Sequence, residues 1–177
     1  MTRDDLRRFQ TLDIDSSAIS LEQGSLTPYF CTPVNAQLVG SIGCDGVHFI
    51  LLPEDERVFC VEPSLGELGT YVLPVAKDFR AFLSYVLYCR DASPLSQIFY
   101  LSADRFQQLL DEDAGAEWPG SEVFFAKKNA ALEVISEVFE LVPADPYAEV
   151  KSLQAAFDPS MLCFPDEYYD VLGIERG

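Results

Sequence analysis

The stretch G43-C-D-G-V-H-F-I-L-L-P-E-D-E-R-V-F-C-V-E-P63 decides how this chain folds. Two apolar runs, Val47–Leu52 and Arg57–Val61, flank the acidic tetrapeptide Pro53-Glu54-Asp55-Glu56, in which proline stops the first run and three acids make a solvated turn. The pattern predicts a β-hairpin. Phe49 and Leu51 alternate with His48, Ile50 and Leu52, so apolar side chains point to both faces and the second face needs a cover of its own, most simply the helices that follow.

Outward from the hairpin, residues 28–75 hold further short runs rich in Val, Ile, Phe and Tyr: YFCTPV, AQLVGSIG and TYVLPVA, separated by Gly, Pro and acidic residues. They predict a mixed or antiparallel sheet of about five to six strands. From Asp78 the period changes. Phe79, Phe82, Leu83, Val86 and Leu87 recur at three- and four-residue intervals, the signature of an amphipathic helix. Two shorter helices are expected to open at Ser93-Pro94 and at Ser102, a long one to cover Val123–Val142 with Glu133, Glu137 and Glu140 on its outer side, and another to follow Asp145-Pro146. Residues 1–27 read as a loosely held arm or a short helix near Asp4–Phe9. The whole is expected to be a single α+β domain, residues 1–177.

The chain of 177 residues carries 29 acidic against 12 basic side chains, a formal net charge of −17. Binding to a phosphate backbone draws on Lys and Arg, so nucleic acid is an unfavoured ligand, whereas a basic protein partner is electrostatically suited. An acidic surface also serves solubility alone. Five cysteines form an odd set without a CxxC pair and are expected to be free thiols. No run resembles a signal peptide or membrane span, which predicts a cytoplasmic protein without membrane contact.

Specific chemistry finds little purchase. Cys44 and His48, the only histidine, would stand roughly 13 Å apart along an extended strand, too far for direct proton transfer, unless a bulge at Gly46 shortened the path for a cysteine hydrolase. No zinc spacing exists, and the loop from Asp111 through Asp113 to Glu122 has Ala116 where a calcium loop needs glycine. The glycines of GSIGCDG and GELGTY match no phosphate-binding pattern. No metal, cofactor or catalytic residue is expected.

What remains are three groups of acids beside aromatics: Glu54, Asp55 and Glu56 at the hairpin tip; Asp111, Glu112, Asp113, Glu117 and Trp118 in a loop; and Tyr168 and Tyr169 after Asp166 and Glu167 in the tail. Aromatic anchors with steering charge suit a protein-binding surface.

The order "DGVHF", "VFCVEP", "YVLPVAKDFRAFL", in which Pro74 and Val75 lead into a helix near Asp78, resembles the Smi1/Knr4-like (SUKH) superfamily over residues 40–110. That resemblance implies an α+β fold with helices around a sheet. It also implies a non-enzymatic role, many bacterial members resembling immunity proteins that neutralise polymorphic toxins, often nucleases with a basic surface. A regulatory scaffold without a toxin partner, and a hydrolase using Cys44 and His48, are the alternatives.

Overall fold

A computed structural model describes residues 1–25, 27–68 and 70–176, the side chains of residues 67 and 68 excepted. Leu26 of the expected arm and Gly69 of the GELGTY run lie outside the described residues. The fold is α+β. Among the described residues four strands, β1 (Gln37–Ser41), β2 (His48–Leu51), β3 (Val58–Val61) and β4 (Val72–Ala76), form one antiparallel meander in the order β1-β2-β3-β4. Among the described residues six α-helices accompany it: α1 (Thr2–Gln10), α2 (Phe79–Cys89), α3 (Ala103–Ala114), α4 (Ser121–Phe139), α5 (Tyr147–Ala155) and α6 (Asp166–Leu172).

The hairpin forms as its sequence predicts, with Leu51 opposite Val58 and His48 opposite Val61. Phe49, Leu51, Val58 and Cys60 face a first core built with α1, α2 and α4. Phe49 meets Phe82 of α2 at a ring separation of 5.1 Å, and Phe79 contacts both Phe9 of α1 and Phe139 of α4 edge-on. Asp78 caps α2, its carboxylate accepting from the Ala81 N–H at 2.8 Å. On α4, Ala131, Leu132, Ile135 and Phe139 are buried while Glu133 and Glu137 face outward, as the helical period requires, and Glu140 is exposed just past the helix end, where its φ is +52°.

Ile50, Phe59, Val61 and Val72 point the other way into a second, smaller core. Its cover is not a helix layer. It is a loop around Phe30 and Cys31 together with Phe157, Leu162, Phe164 and Tyr168 from the C-terminal segment, which the Val34 N–H ties down by donating to the Cys163 carbonyl at 2.9 Å. Among the described residues, Cys31, Cys60 and Cys89 are buried free thiols and Cys44 and Cys163 exposed ones.

The strand count is corrected as well. The sheet has four strands rather than five to six, because YFCTPV is a turn: the Tyr29 N–H donates to the Thr32 hydroxyl at 2.8 Å, the Thr32 N–H returns to the Tyr29 carbonyl, and Asn35 takes a φ of +59°. Proline at 28 and 33 removes two of the donors a strand would need. The N-terminal segment takes the second of its two expected forms, a packed helix over Thr2–Gln10. Leu6 and Phe9 are buried against α2, the Thr2 N–H donates to Glu56 at 2.8 Å, and the Phe79 N–H donates to the Thr2 hydroxyl at 3.2 Å.

Candidate protein-binding site

The segment between β1 and β2 turns rather than extends. Gly43, Asp45 and Gly46 all have positive φ, and a Cβ on Gly46 would lie 2.4 Å from the Tyr29 ring, so any other residue there would strain the backbone and displace that ring. Cys44 is exposed on this turn, while His48 is buried at the start of β2. His48 Nδ1 lies 2.7 Å from the Gly46 carbonyl, which can only accept; Nδ1 therefore carries the proton, and Nε2 accepts from the Thr32 hydroxyl at 3.2 Å. Both ring nitrogens are engaged, neither with Cys44. Desolvation pushes the His48 pKa down, and partial desolvation together with the carboxylates of Asp45, Glu62 and Glu22 pushes the Cys44 thiol up. A thiolate–imidazolium pair has no support in this geometry. His48 pins the turn to the loop at Thr32.

This makes the histidine a source of acid sensitivity. Its folded pKa lies below the ordinary 6.5, so the unfolded chain binds the proton first, and stability present above pH 6.5 is lost as pH falls from there toward the folded value. One proton gives a slope of at most about 1.4 kcal/mol per pH unit. Urea titrations between pH 7.5 and 5 should show that decline in the parent and a flatter profile in His48→Gln; equal slopes would mean that the ring is not held neutral.

The three acid–aromatic groups are placed very differently. At the hairpin tip, Arg57 closes on Asp55 with its side chain at 2.7 Å, and Glu56 accepts from the Thr2 backbone. Burial alone would raise the Asp55 carboxyl, and the Arg57 hydrogen bonds more than offset it, holding the group low; the Thr2 hydrogen bonds do the same for Glu56. Only Glu54 projects freely there. In the tail, Tyr168 stacks on Phe164 at 3.9 Å with a 9° tilt and meets Tyr71 and Tyr169 edge-on, so its ring is spent on covering the second core.

The third group is different in kind. Asp111, Glu112 and Asp113 form the last turn of α3 rather than a loop, and the connection to α4 carries Glu117 and Trp118. Trp118 is 45% exposed and lies 5.6 and 5.4 Å from the rings of Phe124 and Phe125, which stand at 56° and 53° to it. Trp118 and Phe125 wall an open cleft of about 690 Å³ lined also by Glu117, Glu122 and Val123, itself 65% exposed. A smaller pocket of about 220 Å³ shares Ala114 and Phe125 with it and is lined by Asp91, Asp111 and Asp113.

Cations near the cleft are committed elsewhere. Lys127 pairs with Asp15 at 3.2 Å, and the largely buried Lys128 pairs with Asp91 at 2.6 Å. Among the described residues, Asp111, Glu112, Asp113, Glu117 and Glu122 have no ion-pair partner. Desolvation, with the charge of Asp91, pushes the Asp113 carboxyl up. Sequence reasoning found the acids and Trp118 but missed Val123, Phe124 and Phe125. The signal was legible: four large apolar positions within Trp118–Phe125 cannot all face inward from the first turn of a helix.

No family model, curated protein or solved structure matches this chain. Among the described residues, no helix is long and apolar enough to cross a membrane, and no group of three or more His, Cys, Asp or Glu could hold a metal ion.

Proposed function

We propose that this protein is a non-enzymatic binding module that engages a basic protein partner through the cleft between α3 and α4. The observation that carries the reading is the half-exposed Trp118, in contact with Phe124 and Phe125 and flanked in the cleft by the unpaired carboxylates of Glu117 and Glu122, with Asp111, Glu112 and Asp113 on the adjoining last turn of α3. An aromatic anchor supplies contact area while the surrounding charge steers encounter and rejects acidic competitors. The net charge of −17 extends that steering beyond the cleft.

A partner of this description is a toxin domain that must present a basic surface to nucleic acid, and neutralising it would make this chain an immunity protein, as the Smi1/Knr4-like resemblance implies. Covering such a surface with carboxylates would block the phosphate sites of the toxin. The experiment is genetic and direct. Each protein encoded beside this one is expressed alone and with it; a neighbour that arrests growth alone and is tolerated in its presence identifies the partner. Rescue by a variant with Trp118, Glu117 and Glu122 all replaced by alanine would remove this cleft from the interface.

A further inference from the structure

Resting on that reading, the geometry points to an arginine side chain of the partner as the occupant of the cleft, its guanidinium lying over the Trp118 indole between Glu117 and Glu122. The Trp118 and Phe125 rings that line the cleft stand 53° from one another, so they present inclined walls instead of one flat apolar patch. A cation is attracted to such faces by the ring quadrupole. The same cluster already displays this chemistry: Lys128 Nζ lies 5.1 Å from the centre of the Phe124 ring, while the Trp118 indole has no cation of its own among the described residues.

Charge decides against an aliphatic anchor. An apolar side chain entering the cleft would strip water from Glu117 and Glu122 with nothing to compensate them, whereas a cation satisfies both carboxylates as it covers the indole. Arginine suits the site better than lysine, because a planar guanidinium can stack on the ring and still direct N–H groups to two carboxylates, and it sheds water more readily than an ammonium.

Trp118 is the only tryptophan, so its emission reports the cleft directly. The intact protein is titrated at low salt with capped hexa-arginine, hexalysine and hexacitrulline, the last being close in shape to arginine but uncharged, and affinities are measured in parallel by calorimetry. Hexa-arginine should bind with a change in Trp118 emission, hexalysine several-fold more weakly, and hexacitrulline not detectably. Trp118→Leu, which keeps apolar bulk without a π face, should weaken hexa-arginine binding roughly five- to thirtyfold, and Trp118→Phe should retain most of it. Binding of hexa-arginine by Trp118→Leu as tightly as by the parent would overturn the arginine seat and leave the acidic-surface reading standing. Equal binding of hexalysine would overturn the preference for arginine. Failure of both cationic peptides to bind would overturn both readings.

Discussion

Replacing Asp111, Glu112 and Asp113 together by lysine is expected to slow association with a basic partner by about tenfold or more at low ionic strength while leaving the fold at least as stable. The two halves of that outcome have separate causes. Long-range attraction sets the encounter rate, and reversing three exposed charges beside the cleft removes attraction and adds repulsion. Stability moves the other way, because these acids occupy the last turn of α3, where no basic residue stands and the helix end already carries partial negative charge. Lysine there complements the helix dipole. The lost hydrogen bonds from Gln107 to Asp111 and from Gln108 to Glu112 are surface pairs worth only a few tenths of a kcal/mol each. Stopped-flow association from 20 to 500 mM salt, beside thermal melts, tests both halves. A rate and salt slope identical to the parent would sink the electrostatic reading, whereas Cys44→Ser should change neither measurement.

Phe59→Ala should be the most damaging single truncation of the second core, destabilising by about 3–5 kcal/mol, a large share of the 5–15 kcal/mol typical of a domain. Phe59 is fully buried in β3, with the Phe157 ring 5.6 Å away and the Arg57 guanidinium 5.1 Å over its face. Removing it leaves a void between the sheet and the segment that covers it. Tyr168→Ala, at the partly buried margin of the same cover, should destabilise less and leave association unchanged, because its ring is occupied by Phe164 and Tyr71. Denaturant melts of Phe59→Ala, Phe157→Ala and the double variant measure the coupling. Additive losses would mean that the cover does not pack on Phe59 as a unit.

Local signals carried much of this fold. The hairpin was readable because Pro53 and three acids separate two apolar runs, and α2 because Asp78 precedes a clean amphipathic period. What failed depended on residues far apart in the chain. YFCTPV has the composition of a strand, yet its backbone groups are satisfied by Thr32 and its apolar side chains are called to a core whose other half lies beyond residue 156. Leu6 and Phe9 allowed a short helix, but the choice between that and a loose arm rests on Phe79, which receives them from across the fold. At the site, Asp55 looked like Asp113 in sequence; only Arg57, two residues on and folded back, separates a neutralised acid from a free one.

The cover of the second core also sets a schedule. Phe157, Leu162, Phe164 and Tyr168 are synthesised about a hundred residues after Phe59, which at some 5–20 residues per second leaves the sheet waiting on the order of 5–20 s. During that interval the first core can close on α1 and α2, while Ile50, Phe59, Val61 and Val72 have only the loop around Phe30 and Cys31 as cover on the nascent chain. A ribosome stalled before residue 157 would therefore display a layered but one-sided protein, its open face a substrate for chaperones and a seed for aggregation.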